Sequence, residues 1–344
     1  MIICNCRNLS ATLTGVQRYT TEILGRAGER IGRIEPGHAL VGSRGHIWEQ
    51  TVLPFLLGGN LLWSPSNTGP ILVERQVVSI MDLSPLDHPE WTSPAFSRLY
   101  RTIIPILVKR VRAIITISEF SRHRILDHFP FADGKVYVTP LAADKRFRPA
   151  SAFEKQSVAK MLDLPNRPYI LALGSLEPRK NLRNLIHAWK CLSNGLRKDV
   201  SLIIAGAIGR REIFGEQKLL PVSENVVFLG HVSDELLPAL YSGALATIYV
   251  SMYEGFGLPA LEAMSCGCPV IVSNTTSLPE VIGDSGVSVD PACIESIAGA
   301  ITNIVNDSAL RKRLSVMGLN RSKEFSWQKT FEMTWKVLER VASE

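Results

Sequence analysis

Short runs of β-branched, apolar residues alternate with helix-period stretches along most of the chain. In the second half the runs Tyr169–Gly174, Ser201–Gly206, Asn225–Gly230, Ala246–Ser251, Pro269–Asn274 and Gly286–Asp290 predict strands. The stretches 181–193, 233–243, 259–266, 277–283, 292–306 and 308–323 predict helices between and after them. Strands that are apolar on both faces, separated by helices, specify a parallel sheet covered on both sides. The first half repeats the scheme less cleanly. It predicts strands at 1–5, 38–41, 61–63, 76–80, 113–117 and 135–139, and helices at 15–31, 95–110 and 119–128. The fold class expected is α/β, with two doubly wound, Rossmann-like parallel-sheet domains facing each other across a cleft.

The basic, proline-broken stretch 140–155 and the DLPNRP of 163–168 read as a linker. The expected domains are therefore 1–165 and 166–325. A last helix at 326–342, with an apolar stripe of Trp327, Phe331, Trp335 and Leu338, is expected to cross back to the first domain. The apolar fraction of 46% can fill two cores, which excludes disorder for most of the 344 residues. No apolar run approaches the ~18–20 residues of a membrane span, and the first ten residues lack a signal-peptide core. The six cysteines form no metal-binding C-x-x-C pair and read as reduced thiols of a cytoplasmic protein. The net charge of +6 is uneven: residues 1–165 hold 20 Lys/Arg against 14 Asp/Glu, and the remainder is neutral.

In doubly wound sheets ligands sit beyond the carboxyl ends of the strands. After the first strand of the second half comes Gly174-Ser175-Leu-Glu-Pro-Arg179-Lys180-Asn181. Two cations beside a helix start suit phosphate, with Asn181 as a candidate helix cap. After 246–251 comes a loop with Glu254, Gly255, Phe256, Gly257 and Leu258, then Pro259 at a helix start and Glu262 one turn inside. Two carboxylates eight residues apart lie off a common helical face, so they suit different parts of one extended ligand. A third candidate is Gly15, opening the first helix in TGVQRY. The G-x-G-x-x-G of dinucleotide folds, the P-loop, the G-x-S-x-G elbow and D-x-D are all absent. The histidines are scattered, and neither metal nor nucleic acid is expected as a partner.

At these motifs the chain resembles the family-4 retaining glycosyltransferases of the GT-B fold. The resemblance runs through TGVQRY at 14–19, VVSIMDLSPLDHPE at 77–90, ITISEFSR at 115–122, YILALGSLEPRKNL at 169–182, SMYEGFGLPALEAMSCGCPVI at 251–271 and SLPEVIGDSG at 277–286. It is strongest toward bacterial mannosyl- and rhamnosyltransferases of polysaccharide or O-antigen assembly. The resemblance implies that Arg179 and Lys180 bind a donor diphosphate in place of a metal, so no cofactor is needed. Glu254, Gly255, Phe256, Gly257 and Leu258, with Gly174 and Ser175 nearby, would contact donor sugar and phosphates. Glu262 would take the ribose, Gly15 would lie near the diphosphate, and the loops after Gly206 and Gly230, including His231 and Val232, would flank the base. A GDP-sugar is the favoured donor and a lipid-linked glycan the expected acceptor.

The family commonly shows His-Asp where this chain has Met81-Asp82, on the sugar side. A thioether there fits a 6-deoxy donor sugar such as rhamnose. The basic, apolar segment Arg98–Arg112 raises peripheral contact with an anionic membrane, against the plain reading of a helix packed on its sheet. A sugar-nucleotide epimerase and a non-catalytic nucleotide-sugar-binding protein are the rival functions on this architecture.

Overall fold

The structure is a computed structural model; it describes residues 1–10, 15–38, 40, 42–206 and 224–344. It divides into two units. Unit 1 comprises Met1–Pro89, Pro94–Leu141 and Ser326–Glu344; unit 2 comprises Glu90–Ser93 and Ala142–Phe325.

Unit 1 holds a six-stranded parallel sheet of β1 (Ile2–Asn5), β2 (Ile31–Ile34), β3 (Leu61–Ser64), β4 (Gln76–Ser79), β5 (Ala113–Thr116) and β6 (Val136–Val138), in the order β2-β1-β3-β4-β5-β6. Unit 2 holds β7 (Tyr169–Leu173), β8 (Ser201–Ala205), β9 (Val226–Gly230), β10 (Ala246–Tyr249), β11 (Val270–Ser273) and β12 (Val287–Val289), in the order β12-β11-β10-β7-β8-β9. In each sheet the chain lays strands to one side of a founder and then to the other. The order reverses between β1 and β3 in unit 1, and between β7 and β10 in unit 2. β1, β3, β4 and β5 are buried throughout, as are β8, β10 and β11. That explains why their sequences read as continuous apolar runs and not as alternating ones.

Two expectations are corrected, and a third, the strand at 38–41, lies partly outside the described residues, which omit 39 and 41; β2 is Ile31–Ile34. The helix expected over 15–31 stops at Ala27, where Gly28 turns left-handed at φ +58° and frees Ile31 for the sheet. The supposed linker contains a helix, Ala152–Met161, opened by a capping box of Ser151 and Glu154. That helix packs on Leu237–Gly243, and the Ala150 N–H donates to Ser242 Oγ at 3.0 Å. The division therefore falls at Leu141 rather than near 165. The helix Pro94–Arg110 turns Tyr100, Ile103, Ile104, Leu107 and Val108 into the unit 1 core, as its plain reading expects. Its apolar residues thus pack on the sheet; of them only Ile106 is counted among the large exposed hydrophobics, at 37% exposure.

The final helix, Trp327–Ser343, belongs to unit 1 and packs on the Gly15–Ala27 helix. The Arg30 guanidinium lies over the stacked rings of Phe331 and Trp335, 5.1 and 4.7 Å from their centroids. Thr330 Oγ1 donates to the Pro140 carbonyl at 2.6 Å. Among the described residues no helix is long and apolar enough to cross a membrane.

Candidate functional site

The reversal between β7 and β10 decides which loops meet. One follows β7 and carries Gly174 to Asn181; the other follows β10 and carries Val250 to Gly257. They are tied backbone to backbone, the Met252 N–H donating to the Arg179 carbonyl at 2.8 Å. Gly174 and Gly206 directly follow β7 and β8, and Gly230 ends β9; the Gly174 N–H donates to the Ala205 carbonyl at 3.0 Å and the Gly206 N–H to the Gly230 carbonyl at 2.7 Å. At Gly206 the packing leaves no room: a Cβ would sit 1.9 Å from the Gly174 carbonyl oxygen.

Four charges converge on these loops. Arg179 and Lys180 lie in the turn Pro178–Lys180, ahead of the helix Leu182–Cys191. Lys180 Nζ donates to Glu254 Oε1 at 2.8 Å, and Arg179 Nη1 to Glu254 Oε2 at 3.4 Å. Arg179 Nε donates to Glu177 Oε2 at 2.8 Å, and Ser175 Oγ donates to the other Glu177 oxygen. The Tyr249 hydroxyl, at the end of β10, donates to Glu254 Oε1 at 2.7 Å and accepts from Lys180. Glu254 is only 6% exposed. Burial, the largest influence, pushes its carboxyl up, but Lys180, Arg179 and the hydrogen bonds outweigh it and hold the pKa at about 2. Burial also lowers the Lys180 ammonium against the pull of Glu254. The result is a buried carboxylate that stays ionised and two cations that are concentrated, not solvated.

The backbone of the second loop is fixed from β11. Ser277 Oγ donates to the Glu254 carbonyl and Ser273 Oγ to that of Ser251. Gly257 caps the helix Leu258–Ser265 at φ +98°, with Pro259 in its first turn, and a Cβ there would strike Leu278 at 2.5 Å. Phe256 is buried against Phe325, the rings edge to face at 5.8 Å. Glu262 is buried inside that helix at 5% exposure; after burial itself, its charge is the next influence raising the Tyr241 phenol. The Trp91 ring of the Glu90–Ser93 excursion stands edge to face on Tyr253, at 6.5 Å.

The remaining candidates scatter. His231 is exposed and Val232 buried, both just after β9; the loop after Gly206 lies outside the described residues. Gly15 is exposed at the start of its helix, with nothing within 4 Å of a Cβ placed on it. Met81 is buried, its N–H donating to Asn67 Oδ1 at 2.7 Å and its carbonyl accepting from Ser121 Oγ. Asp82 Oδ1 accepts from both the N–H and the hydroxyl of Ser84, which starts the short helix Ser84–Asp87. Asn181 does not cap its helix. It is left-handed at φ +57°, and its Nδ2 donates to the carbonyls of Val250 and Pro291, so it buttresses both loops.

Sequence reasoning missed Glu177, Tyr249 and Trp91. It also missed a buried cluster at the other reversal point, beyond β1 and β3. There Glu49 Oε1 accepts from Asn5 Nδ2 at 2.7 Å and Arg7 Nε at 3.3 Å, and Oε2 accepts from Thr68 Oγ1 at 2.8 Å. Glu49 sits on the helix Ser43–Thr51, which had no hydrophobic period to announce it. A hollow of about 640 Å³ lined by Arg146, Arg148, Phe153 and Glu235 shares none of these residues. All six cysteines are free thiols.

Two six-stranded parallel sheets, each with its strand order reversed about a founder and covered by helices, define a two-domain α/β protein of the GT-B type. The sequence profile described as "Glycosyl transferases group 1" matches residues 155–320. Over 261 residues the chain is 36% identical to O-antigen chain mannosyltransferase B of Escherichia coli, covering 75% of this chain and 68% of that protein. It is 31% identical over 260 residues to the serotype-specific mannosyltransferase WbdA of Escherichia coli, of which it spans only 31%. Its fold matches that of HepE from Anabaena in complex with UDP-glucose, at 17% identity and a TM-score of 0.75, over 100% of this chain and 99% of that one. The chain belongs to the group 1 glycosyltransferase family and is a glycosyltransferase.

Proposed function

We propose that the enzyme transfers mannose from a nucleoside diphosphate sugar, GDP-mannose being favoured, to a lipid-linked glycan in O-antigen or related surface polysaccharide synthesis. The observation that carries this reading is the convergence of Arg179 and Lys180 on one buried carboxylate at the reversal point of unit 2. A diphosphate offers the same two cations several anionic oxygens and brings more charge than the single carboxylate of Glu254. Charge-assisted hydrogen bonds contribute ~1.5–3 kcal/mol each, and they grow as the bond to the sugar breaks and negative charge collects on the leaving diphosphate. Arg179 and Lys180 thus do the work of a metal.

Glu254, released from its cations, takes sugar hydroxyls, and Glu262 takes the ribose. The acceptor oxygen bonds to the anomeric carbon on the face from which the diphosphate departs, and the departing phosphate oxygen takes the acceptor's proton, so the sugar retains its anomeric configuration. The mannosyl relatives and the UDP-glucose complex of HepE support the donor class. Unit 1 carries 18 Lys/Arg against 13 Asp/Glu, which suits an anionic acceptor or the surface that displays it. A 6-deoxyhexose donor is a second reading, favoured by the apolar Met81. The test is a panel of GDP-, UDP- and dTDP-sugars, read by ligand-observed NMR and by donor hydrolysis. GDP-mannose should bind and turn over, and Arg179→Ala should abolish turnover. Binding of no sugar nucleotide would end the proposal, and turnover of 6-deoxy donors alone would transfer it to the second reading.

A further inference from the structure

We propose that Tyr249 is a positioning residue that keeps Glu254 in place when Arg179 and Lys180 turn to an anionic ligand. The inference rests on the donor-site reading above. Glu254 has three side-chain partners: Lys180 and Tyr249 on Oε1, and Arg179 on Oε2. Both cations stand on the loop after β7. Tyr249 stands on β10, on the carboxylate's own stretch of chain, and among the described residues is its one neutral side-chain donor. A diphosphate recruits the two cations, since it offers them more charge than a single carboxylate does. Glu254 then loses both charged partners at once while remaining enclosed. A carboxylate in that position needs a hydrogen-bond donor that the ligand does not take away.

The phenol meets that need. It is buried, and both its burial and the adjacent Glu254 charge push its pKa well above the ordinary tyrosine value, so it stays a donor. The same hydroxyl also accepts from Lys180 Nζ, which lies 4.8 Å from the ring centroid, so the phenol touches both the carboxylate and the cation that leaves it. The backbone at Glu254 is already fixed by Ser277. What remains to be set is the direction of the carboxylate, and the Tyr249 hydroxyl sets it. The consequence is selective. Removing the hydroxyl spares the diphosphate contacts and weakens those that Glu254 makes to the sugar.

The experiment compares GDP and GDP-mannose binding by calorimetry for wild type, Tyr249→Phe, Glu254→Gln and the double variant, with melting temperatures for each. GDP affinity of Tyr249→Phe should stay within about twofold of wild type, while GDP-mannose affinity falls about tenfold. The double variant should be no weaker than the worse single one, because both substitutions remove the same oriented carboxylate. Equal weakening of both ligands, no weakening of either, or additive losses would overturn the assignment. If Tyr249→Phe does not fold, 3-fluorotyrosine at position 249 supplies the readout. A fluorine resonance that moves both on GDP binding and on Glu254→Gln supports the arrangement, and one that neither change moves overturns it. If wild type binds no sugar nucleotide at all, the donor reading itself has failed, and this inference goes with it.

Discussion

Each unit holds a buried carboxylate at the point where its strand order reverses, and the two are built for different ends. Glu49 in unit 1 is fully enclosed and accepts from Asn5, Arg7 and Thr68, with His46 Nδ1 3.6 Å away. Three separate pieces of chain meet on it. Glu254 in unit 2 takes two cations from one loop and a phenol from the next strand, and its Arg179 is 22% exposed against 11% for the Arg7 beside Glu49. Both carboxyls are held below their ordinary range against the opposing effect of burial. The lesson is that a depressed carboxyl does not by itself mark a ligand site. What separates the two is whether the partners can be exchanged. Glu49 is held by side chains from across the unit and reads as a clamp, whereas both cations on Glu254 come from one loop, and the proposed donor site requires that they leave it for another anion.

The largest effect should come from removing those cations. The double variant Arg179→Ala/Lys180→Ala should lower donor turnover at least about 10³-fold, since one such electrostatic contact is worth ~10²–10³ in rate. A loss under tenfold in a donor hydrolysis assay would show that the cluster is a clamp like its counterpart. Glu49→Ala sharpens the comparison from the other side. It removes the buried carboxylate that Asn5, Arg7 and Thr68 share and should cost about 3–5 kcal/mol, read by chemical denaturation, while GDP binding by the folded protein stays unchanged. Altered GDP affinity would place Glu49 in the ligand's own machinery.

Gly206→Ala comes next. Its methyl would sit 1.9 Å from the Gly174 carbonyl, so the ends of β7 and β8 must separate. That should cost at least about 2 kcal/mol, by analogy with other overpacked positions, and weaken GDP binding because the Arg179–Lys180 loop starts there. Unchanged binding in a folded Gly206→Ala protein would show that the loop is set by its tie to Met252 instead.

Acid should separate the carboxylates more gently. An unfolded glutamate titrates near ~4.3, and Glu254 is held at about 2 in the fold. A lowered folded pKa contributes stability that is present above the unfolded value and is lost as pH falls through the folded one. Melting temperature should therefore fall from about pH 5 toward pH 2, and the gap between wild type and Glu254→Gln should narrow over that window. A constant gap would mean that Glu254 is not ionised by its cations.

The sequence made unit 2 far more legible than unit 1. All six strands of unit 2 were anticipated within a residue or two, because parallel strands buried on both faces leave continuous apolar runs between helices. Arg179, Lys180 and Glu254 could be read off because loops at strand ends have few other uses for that chemistry. Glu177 and Tyr249 could not. Glu177 looks like one more charge in a turn, and Tyr249 looks like the last apolar residue of a strand. Only the pairing of β10 with β7 brings its hydroxyl to Lys180. Unit 1 hid more. The helix Ser43–Thr51 has no apolar stripe, and Ile31–Ile34 is partly exposed edge strand that reads as a helix tail. Asn181 shows the limit of local rules, since a residue favoured as a cap was used for its amide donors instead.

The smallest effect is the most discriminating. Gly206 directly follows β8 and Gly15 opens the helix Gly15–Ala27, yet of the two only Gly206 is required by the protein's own packing. At Gly15 a Cβ meets nothing within 4 Å, and the backbone there is not left-handed. Alanine favours a helix over glycine by up to about 1 kcal/mol, so Gly15→Ala should leave the melting temperature unchanged or slightly raised. Any requirement for glycine at this position then comes from a ligand that approaches the backbone. Donor turnover should fall about tenfold in this variant while stability holds. Turnover equal to wild type would remove Gly15 from the site and leave the start of that helix as ordinary surface.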